Sequence, residues 1–513
     1  MSLDTSFYYQ LSNASLGAGK ALEVIPDGSG RLRMSPTKNI TGQAWKLVER
    51  GGGQYALRTQ YLGEGLSLNV LRNASKDRPV LATTGDFPGQ AWTLTLGAEG
   101  TYKLTNDLTG PDRFLDTTCD TDEPILTSGD HDGQIWTLTQ IRKVESNVDI
   151  PPLDPKGNTR GEGPTDFKLY ARPEGVVRAV MIFVDFEDAP AAGASTADVG
   201  RHLLGNGSAQ RLFRDQSYQR MVLDVTVKSD LGWRRMPRPF GEYETHVSFE
   251  QHKEYISQAV CLFAADVELS DYAMVFIATP GAADLKGASS FRAQVGNGIP
   301  TRDGEIRLVT TFDGSSLKER YTTLVHEVGH LFGLPDLYRA GLHSGHSRAG
   351  GWDLMSDSHH ATSFLGWHRH KNGWLDLSRK TYVADPMIEW SGTLHPLADP
   401  TGLSMVVFPV DDPVKPSKVF VLELAQQVVG DDGAYWGEGV LLYVVDATVP
   451  SGSSPVVVVP NVCSASDNFG NLFEAPYGVG DQGSRAEGKA LLVLEVLERF
   501  GDSYTVTVRY ERR

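Results

Sequence analysis

The tetrapeptide Gly-Gln-Ala-Trp stands at residues 42–45 and again at 89–92, and Gly-Gln-Ile-Trp follows at 133–136. The spacings are 47 and 44 residues. A repeat of this period constrains the fold strongly, because each copy is one supersecondary unit that cannot bury its apolar face alone. Each copy runs into an alternating segment, at residues 46–48, 93–96 and 137–140, and follows another short strand, at 21–24, 67–70 and 114–117. Gly- and Asp-rich turns separate the pieces. Short strands at even spacing predict a closed all-β unit over residues 1–143. Trp45, Trp92 and Trp136 recur at one place in each copy, so they are read as core fillers and not as sugar platforms.

This pattern resembles the ricin-type β-trefoil lectins, whose three Q-x-W repeats have this spacing. The resemblance implies a carbohydrate-binding unit. There an Asp in the strand before each Q-x-W holds sugar hydroxyls, and an aromatic from the intervening loop stacks on the ring. The matching positions here are Glu23, Asn69 and Asp116. Only the third keeps the aspartate, a charged acceptor that bonds hydroxyls strongly. The sugar site is therefore expected at Asp116 and His131, with Gln134 beside them. Phe87 is the ring candidate of the second repeat. Glycans or glycoproteins are the expected partners. The alternative is a trefoil that docks on a protein partner or on the rest of its own chain.

A chain of 513 residues is long enough for about three domains. Its formal net charge of −16 argues against a nucleic-acid partner, which clustered Lys and Arg would have to meet. No apolar run reaches the length of a membrane span. The first residues, MSLDTSFYYQ, have an early acid, no basic region and no apolar core, so no secretory signal is expected. Cys119, Cys261 and Cys463 are far apart and form neither a disulfide framework nor a C-x-x-C knuckle. The expected location is cytoplasmic or non-classically secreted, with extracellular action left open.

Residues 144–165 are rich in Pro, Gly and charge and read as a linker. Beyond them, apolar runs at 180–186, 273–278 and 305–312 alternate with helical periodicity at 208–221 and 248–269. That alternation predicts an α/β layer domain over residues 166–380. From 381 to 513 the helical signals fade and strand-like segments follow one another, which predicts a C-terminal β-sandwich.

The segment HEVGHLFGLPD occupies residues 326–336. Apolar residues recur with helical spacing over 317–332, so His326 and His330, four apart, project from one face. Two imidazoles so placed suit one Zn²⁺ at about 2.0–2.1 Å. Glu327 lies aside from the metal, within reach of a water proton. Gly333 can take the left-handed conformation that ends a helix, and Pro335 stops it from resuming. The chain must then turn, which would bring Asp336 in as third ligand. A buried core helix with two satisfied histidines is the competing explanation.

A second element, GGWDLMSD at residues 350–357, resembles the Met-turn of metzincin-like peptidases, with Met355 as its methionine. HEVGHLFGLPDLY, GGWDLMSD and FLGWHRHKNGWLD together resemble the M6 family, the immune inhibitor A type of metallopeptidase; so do AVMIFVDFED and FRDQSYQRMVLDVTV upstream and VFVLELAQQVVGDDGAYWGEGVLLYVVD downstream. The resemblance spans roughly residues 165–450. It implies a zincin fold, zinc held by His326, His330 and Asp336, Glu327 as general base, and protein substrates. It also implies structural Ca²⁺, for which the sequence offers no assignable ligands. Relatives of that type carry an export signal and an inhibitory propeptide, where this chain has a lectin-like unit. Cys119 could be imagined as a latch on zinc and is read as an ordinary core cysteine.

The reading is a zinc-dependent endopeptidase targeted by a carbohydrate-binding trefoil. His359 or His360 would assist the oxyanion, with surface solvation as their competing role, and residues 305–311 are a candidate edge strand for an extended substrate. The alternative is a glycan-binding, toxin-like protein whose peptidase unit is latent or inactive.

Overall fold

The computed structural model describes residues 3–25, 31–38, 40–61, 65–70, 78–117, 122–143, 147–243, 248–283, 287–302, 304–340, 348–385, 387–399, 402–426, 428–429, 435–461, 472 and 474–513. Cys119 and Cys463 lie outside these residues.

The described residues of the N-terminal unit form twelve strands: β1 (Phe7–Asn13), β2 (Lys20–Val24), β3 (Leu32–Pro36), β4 (Trp45–Gly51), β5 (Gln54–Thr59), β6 (Leu66–Asn69), β7 (Val80–Thr83), β8 (Trp92–Leu96), β9 (Tyr102–Asn106), β10 (Gly110–Thr117), β11 (Pro124–Thr127) and β12 (Trp136–Lys143). Strands β1, β4, β5, β8, β9 and β12 pair in a closed ring, and β2–β3, β6–β7 and β10–β11 form hairpins. This is a trefoil-like arrangement, as the repeats predict. Trp45, Trp92 and Trp136 are fully buried. Each indole N–H donates to a main-chain oxygen of its own repeat, Leu22, Leu68 or Leu115, at 2.8–2.9 Å. The tryptophans are core, for the reason given above.

The central unit holds strands β13 (Gly175–Asp185), β14 (Met221–Val227), β15 (Arg234–Arg235), β16 (Met274–Ala278), β17 (Ala288–Arg292), β18 (Ile299–Thr301), β19 (Gly304–Ile306) and β20 (Leu308–Phe312). Its helices are α1 (Thr196–Leu203), α2 (Ser208–Gln216), α3 (Phe249–Phe263), α4 (Thr322–Leu331) and α5 (Gly366–Lys371). The sheet order is β14-β13-β16-β20-β17, with only β17 antiparallel. Side chains of β13 alternate between two cores. Met181 and Phe183 meet the face that carries α4, while Val180 and Ile182 meet the face that carries α3.

Three expectations change here. The strand expected at 305–311 divides at Arg307 into β19 and β20, and β20 is interior, because β17 covers its far side. The edge beside α4 is therefore β17. The helix expected from 317 begins at 322, because Asp313 caps a separate 3-10 turn at Gly314–Lys318. The segment read as a linker does more than connect. Its Ile150 and Leu153 enter the central core, and Glu162 is buried against α5.

The described residues of the C-terminal region form β21 (Lys380–Tyr382), β22 (Met387–Leu394), β23 (Met405–Pro409), β24 (Lys418–Ala425), β25 (Val428–Val429), β26 (Tyr435–Trp436), β27 (Gly439–Asp446), β28 (Val456–Val459), β29 (Gln482–Glu487), β30 (Ala490–Phe500) and β31 (Ser503–Arg512). They form a five-stranded sheet, β21-β23-β24-β27-β28, a four-stranded sheet, β22-β31-β30-β29, and a small β25–β26 pair. Alternate residues of the larger sheet face the smaller one through Phe408, Phe420 and Leu422, and the central unit through Val407, Val421 and Tyr443. No helix of the described residues is long and apolar enough to cross a membrane.

Candidate metal centre

Helix α4 is buried along its whole length. Its apolar side chains Leu324, Val325, Val328 and Leu331 belong to the central core, which holds the helix in place. Gly333 ends it at φ +92, with the Leu334 amide returning to Gly329 O at 3.0 Å. A Cβ on Gly333 would also stand 2.7 Å from Thr165 Cγ2. The chain then doubles back and brings Asp336 to the histidines, as the sequence predicts.

His326 Nδ1 donates to Leu354 O, and His330 Nδ1 donates to Leu334 O, each at 2.8 Å. A carbonyl only accepts, so both Nδ1 atoms carry the proton and both Nε2 atoms offer a lone pair. Those Nε2 atoms lie 3.2 and 3.0 Å from Asp336 Oδ1. Oδ1 is buried and accepts no hydrogen bond among the described residues. Three lone-pair donors converge on one point, the donor set a divalent transition ion takes. The electrostatics agree. Burial disfavours a charged His326 ring, but the Asp336 carboxylate beside it outweighs burial and lifts the ring to about 9. Burial likewise opposes the Asp336 carboxylate, yet His330 and His326 hold it well below the usual range. The cluster therefore favours added positive charge.

Glu327 groups with the two histidines, one ligand atom of each lying within 4.8 Å of the others. Ser290 Oγ on β17 lies 2.6 Å from Glu327 Oε2 and 2.9 Å from Glu327 O. Met355 is fully buried beneath the helix. A Cβ on Gly329 would stand 2.6 Å from its Sδ, and its main-chain oxygen accepts from the Leu337 amide at 2.9 Å. Met355 thus touches both the helix and the turn that carries Asp336.

Several residues that support the centre carry no sequence signal. Ser451, between β27 and β28, accepts from the Asp336 amide at 2.9 Å, and its hydroxyl donates to Asp336 Oδ2 at 3.1 Å. Ser290 and Ser451 act across 37 and 115 residues of chain, a separation no local pattern encodes. Behind the Met355 turn, His368 sits between Asp353 Oδ2, at 2.8 Å, and Glu162 Oε1, at 2.9 Å. Tyr338 does lie next to the motif, and its ring stacks over His326 at 6.2 Å between centroids. Burial and the Asp336 charge push its phenol above the normal range, so it keeps its proton at neutral pH. His360 Nδ1 is 2.7 Å from Asp357 Oδ2, while His359 is exposed and its main-chain oxygen accepts from Arg320.

In the trefoil, Asp116 and Gln134 meet through Thr127. The Thr127 hydroxyl donates to Asp116 Oδ2 and accepts from Gln134 Nε2. Asp116 is 3% exposed and Gln134 is fully buried, whereas His131 stands on the exposed neighbouring turn. Glu23 is held by Arg33 and Gln43.

No family model matches the chain, and no curated protein matches it. Solved structures similar to it include a mosquitocidal holotoxin, 19% identical over 27% of this chain and 18% of that one, with a TM-score of 0.24. Another is ThreeFoil, a designed 3-fold symmetric protein, 26% identical over 27% of this chain and all of that one, at 0.23. A third is a Polyporus squamosus lectin bound to a sialylated epitope, 16% identical over 27% and 50%, at 0.24. This chain therefore spans under a fifth of the holotoxin and half of the lectin.

Proposed function

We propose that this chain is a zinc-dependent endopeptidase of the immune inhibitor A type that its motifs resemble, carrying a carbohydrate-binding trefoil. One observation carries the reading. His326 Nε2, His330 Nε2 and Asp336 Oδ1 converge, with Glu327 beside them and bonded to the edge strand. When bound there, zinc supplies Lewis acidity, bringing the pKa of a water toward about 7 and polarising the scissile carbonyl. Glu327 takes the water proton and passes it to the leaving amine. Ser290 orients that carboxylate. The Tyr338 phenol donates to the developing oxyanion. The edge of β17 that is unpaired among the described residues offers main-chain hydrogen bonds to an extended substrate.

The first experiment compares wild type with Glu327→Ala on an unfolded protein, with zinc measured in both. The reading expects one equivalent of zinc in each sample and cleavage by wild type alone. A chain that holds no metal would sink the assignment of His326, His330 and Asp336.

A second reading has a specific observation behind it. The Glu327 carboxylate is already engaged by Ser290, and residues of the 155–166 segment line the adjoining cleft. On that reading the chain is a glycan-binding, toxin-like protein whose peptidase unit is silent. Zinc in both samples with cleavage in neither would favour it. A glycan array decides the trefoil separately, and no bound sugar would leave that unit a docking module.

A further inference from the structure

The cleft beside the candidate centre, about 990 Å³ in volume, carries a charge pattern opposite to that of the chain. The chain is acidic overall, at −16. Yet Arg160, Arg292 and Lys371 line the cleft, against Asp166 and Asp336. Lys371 is committed: its Nζ donates to Gly161 O at 2.9 Å and Gly163 O at 2.8 Å, and lies 3.5 Å from Glu162. Asp336 belongs to the histidine cluster, and Asp166 accepts from the Lys168 amide. Arg160 and Arg292 have no carboxylate partner among the described residues.

Arg292 is the better placed of the two. It ends β17 two residues past Ser290, so both side chains leave the strand on one face. Its guanidinium is anchored, with Nη1 donating to His330 O at 3.3 Å and the cation 5.6 Å from the Tyr170 ring centroid. That contact caps the C-terminal end of α4, where carbonyls carry partial negative charge. It uses one donor of a five-donor fork. A planar fork held in place at the wall of a cleft is matched to a carboxylate.

We infer that Arg292 is a specificity residue that binds a carboxylate of the substrate, with Arg160 adding to the local field. The substrate class is then an acidic peptide segment. This rests on the peptidase reading above. Strand geometry places the carboxylate about 7 Å along the peptide from the residue opposite Ser290, two residues away. It comes from an Asp or Glu side chain or from a free C-terminus.

The test uses the full zinc-loaded chain and matched peptides. One pair differs only by Glu or Gln near the cleaved bond. A second pair, both with Gln, differs by a free or amidated C-terminus. The expected result is a carboxylate preference in kcat/KM of about tenfold or more, the size of one charge-assisted hydrogen bond. Arg292→Gln brings that ratio toward one. Should this variant fail to fold, Arg292→Lys, which keeps the charge and loses the fork, is read for the same fall. A preference in the first pair assigns a side chain, and one in the second assigns the terminus. Equal cleavage in both pairs, or a ratio that survives Arg292→Gln, overturns the inference and leaves the peptidase reading standing. If wild type cleaves nothing, that reading has failed, and calorimetric binding of the same peptides to the zinc-loaded chain decides the role of Arg292. Tighter binding of the carboxylate peptide, lost in the variant, supports the role; equal binding ends it.

Discussion

Gly42, Gly89 and Gly133 hold the same place in three repeats but not the same space. A Cβ on Gly133 would stand 2.1 Å from Thr117 O, and one on Gly89 2.2 Å from Val70 O. At Gly42 nothing comes closer than 3.7 Å. Main chain at the end of a paired hairpin strand does not move aside freely for a methyl group, and overpacking of this kind costs about 1–3 kcal/mol. Gly89→Ala and Gly133→Ala are therefore expected to lower the trefoil's thermal midpoint, while Gly42→Ala leaves it nearly unchanged. Equal effects at all three would show that the glycines serve the turn and not the close approach. The sequence displays the three as equivalents, and only tertiary packing separates them.

At the scale of elements, α4 was legible because three local signals agree: apolar periodicity, a histidine pair four apart and a glycine stop. The edge strand was not. β17, residues ASSFR, has neither an apolar run nor clean alternation, and its place follows from pairing with β20. The segment before the central unit was misleading for another reason. Its Pro and Gly content reads as linker, yet Glu162 is bound by a histidine, a lysine and a tryptophan more than 200 residues away. Burial would raise the Glu162 carboxyl, but His368 and Lys371 hold it at about 2. Burial would lower His368, but Asp353 and Glu162 lift it to about 10. The raised His368 contributes stability that is complete below its ordinary value of 6.5 and is lost as pH rises toward about 10. The depressed Glu162 contributes stability present above 4.5 and lost as pH falls toward about 2. Lys371, lowered by burial, works against the first trend. The urea midpoint of the transition that includes the central unit is expected to peak between those ordinary values, 4.5 and 6.5, and to decline toward pH 9. Glu162→Gln should flatten the alkaline decline. A midpoint that is level from pH 6 to pH 9 would remove His368 as its source.

At the scale of the whole molecule, the three predicted domains do not correspond to three cores. The trefoil has its own, built on Trp45, Trp92 and Trp136. The central unit and the larger C-terminal sheet share one, in which Phe183 and Val328 sit with Val421 and Tyr443. Patterning shows that β23, β24, β27 and β28 of that sheet are largely apolar on both faces, as a sheet covered on both sides must be. It does not show what covers the second face. Contacts of the trefoil with the C-terminal sheets are few by comparison. Gln60 Nε2 donates to Ser391 O at 2.9 Å, and Tyr61 meets Phe500 edge-on at 4.4 Å. Small contacts between units with separate cores permit separate unfolding. Two transitions are therefore expected in urea, one for the trefoil and one for the central and C-terminal units together. The Phe500→Ala variant should loosen the docking, and scattering should report a larger radius of gyration with both transitions kept. The Glu327→Ala variant should leave both in place. Three transitions, with zinc binding lost while the C-terminal sheets remain folded, would mean that the shared core does not couple them. Ser451, which reaches Asp336 from the β27–β28 turn, gives that coupling a chemical consequence: zinc binding by the proposed site, whose Asp336 is held from the C-terminal sheet, should be lost in the same transition as that sheet.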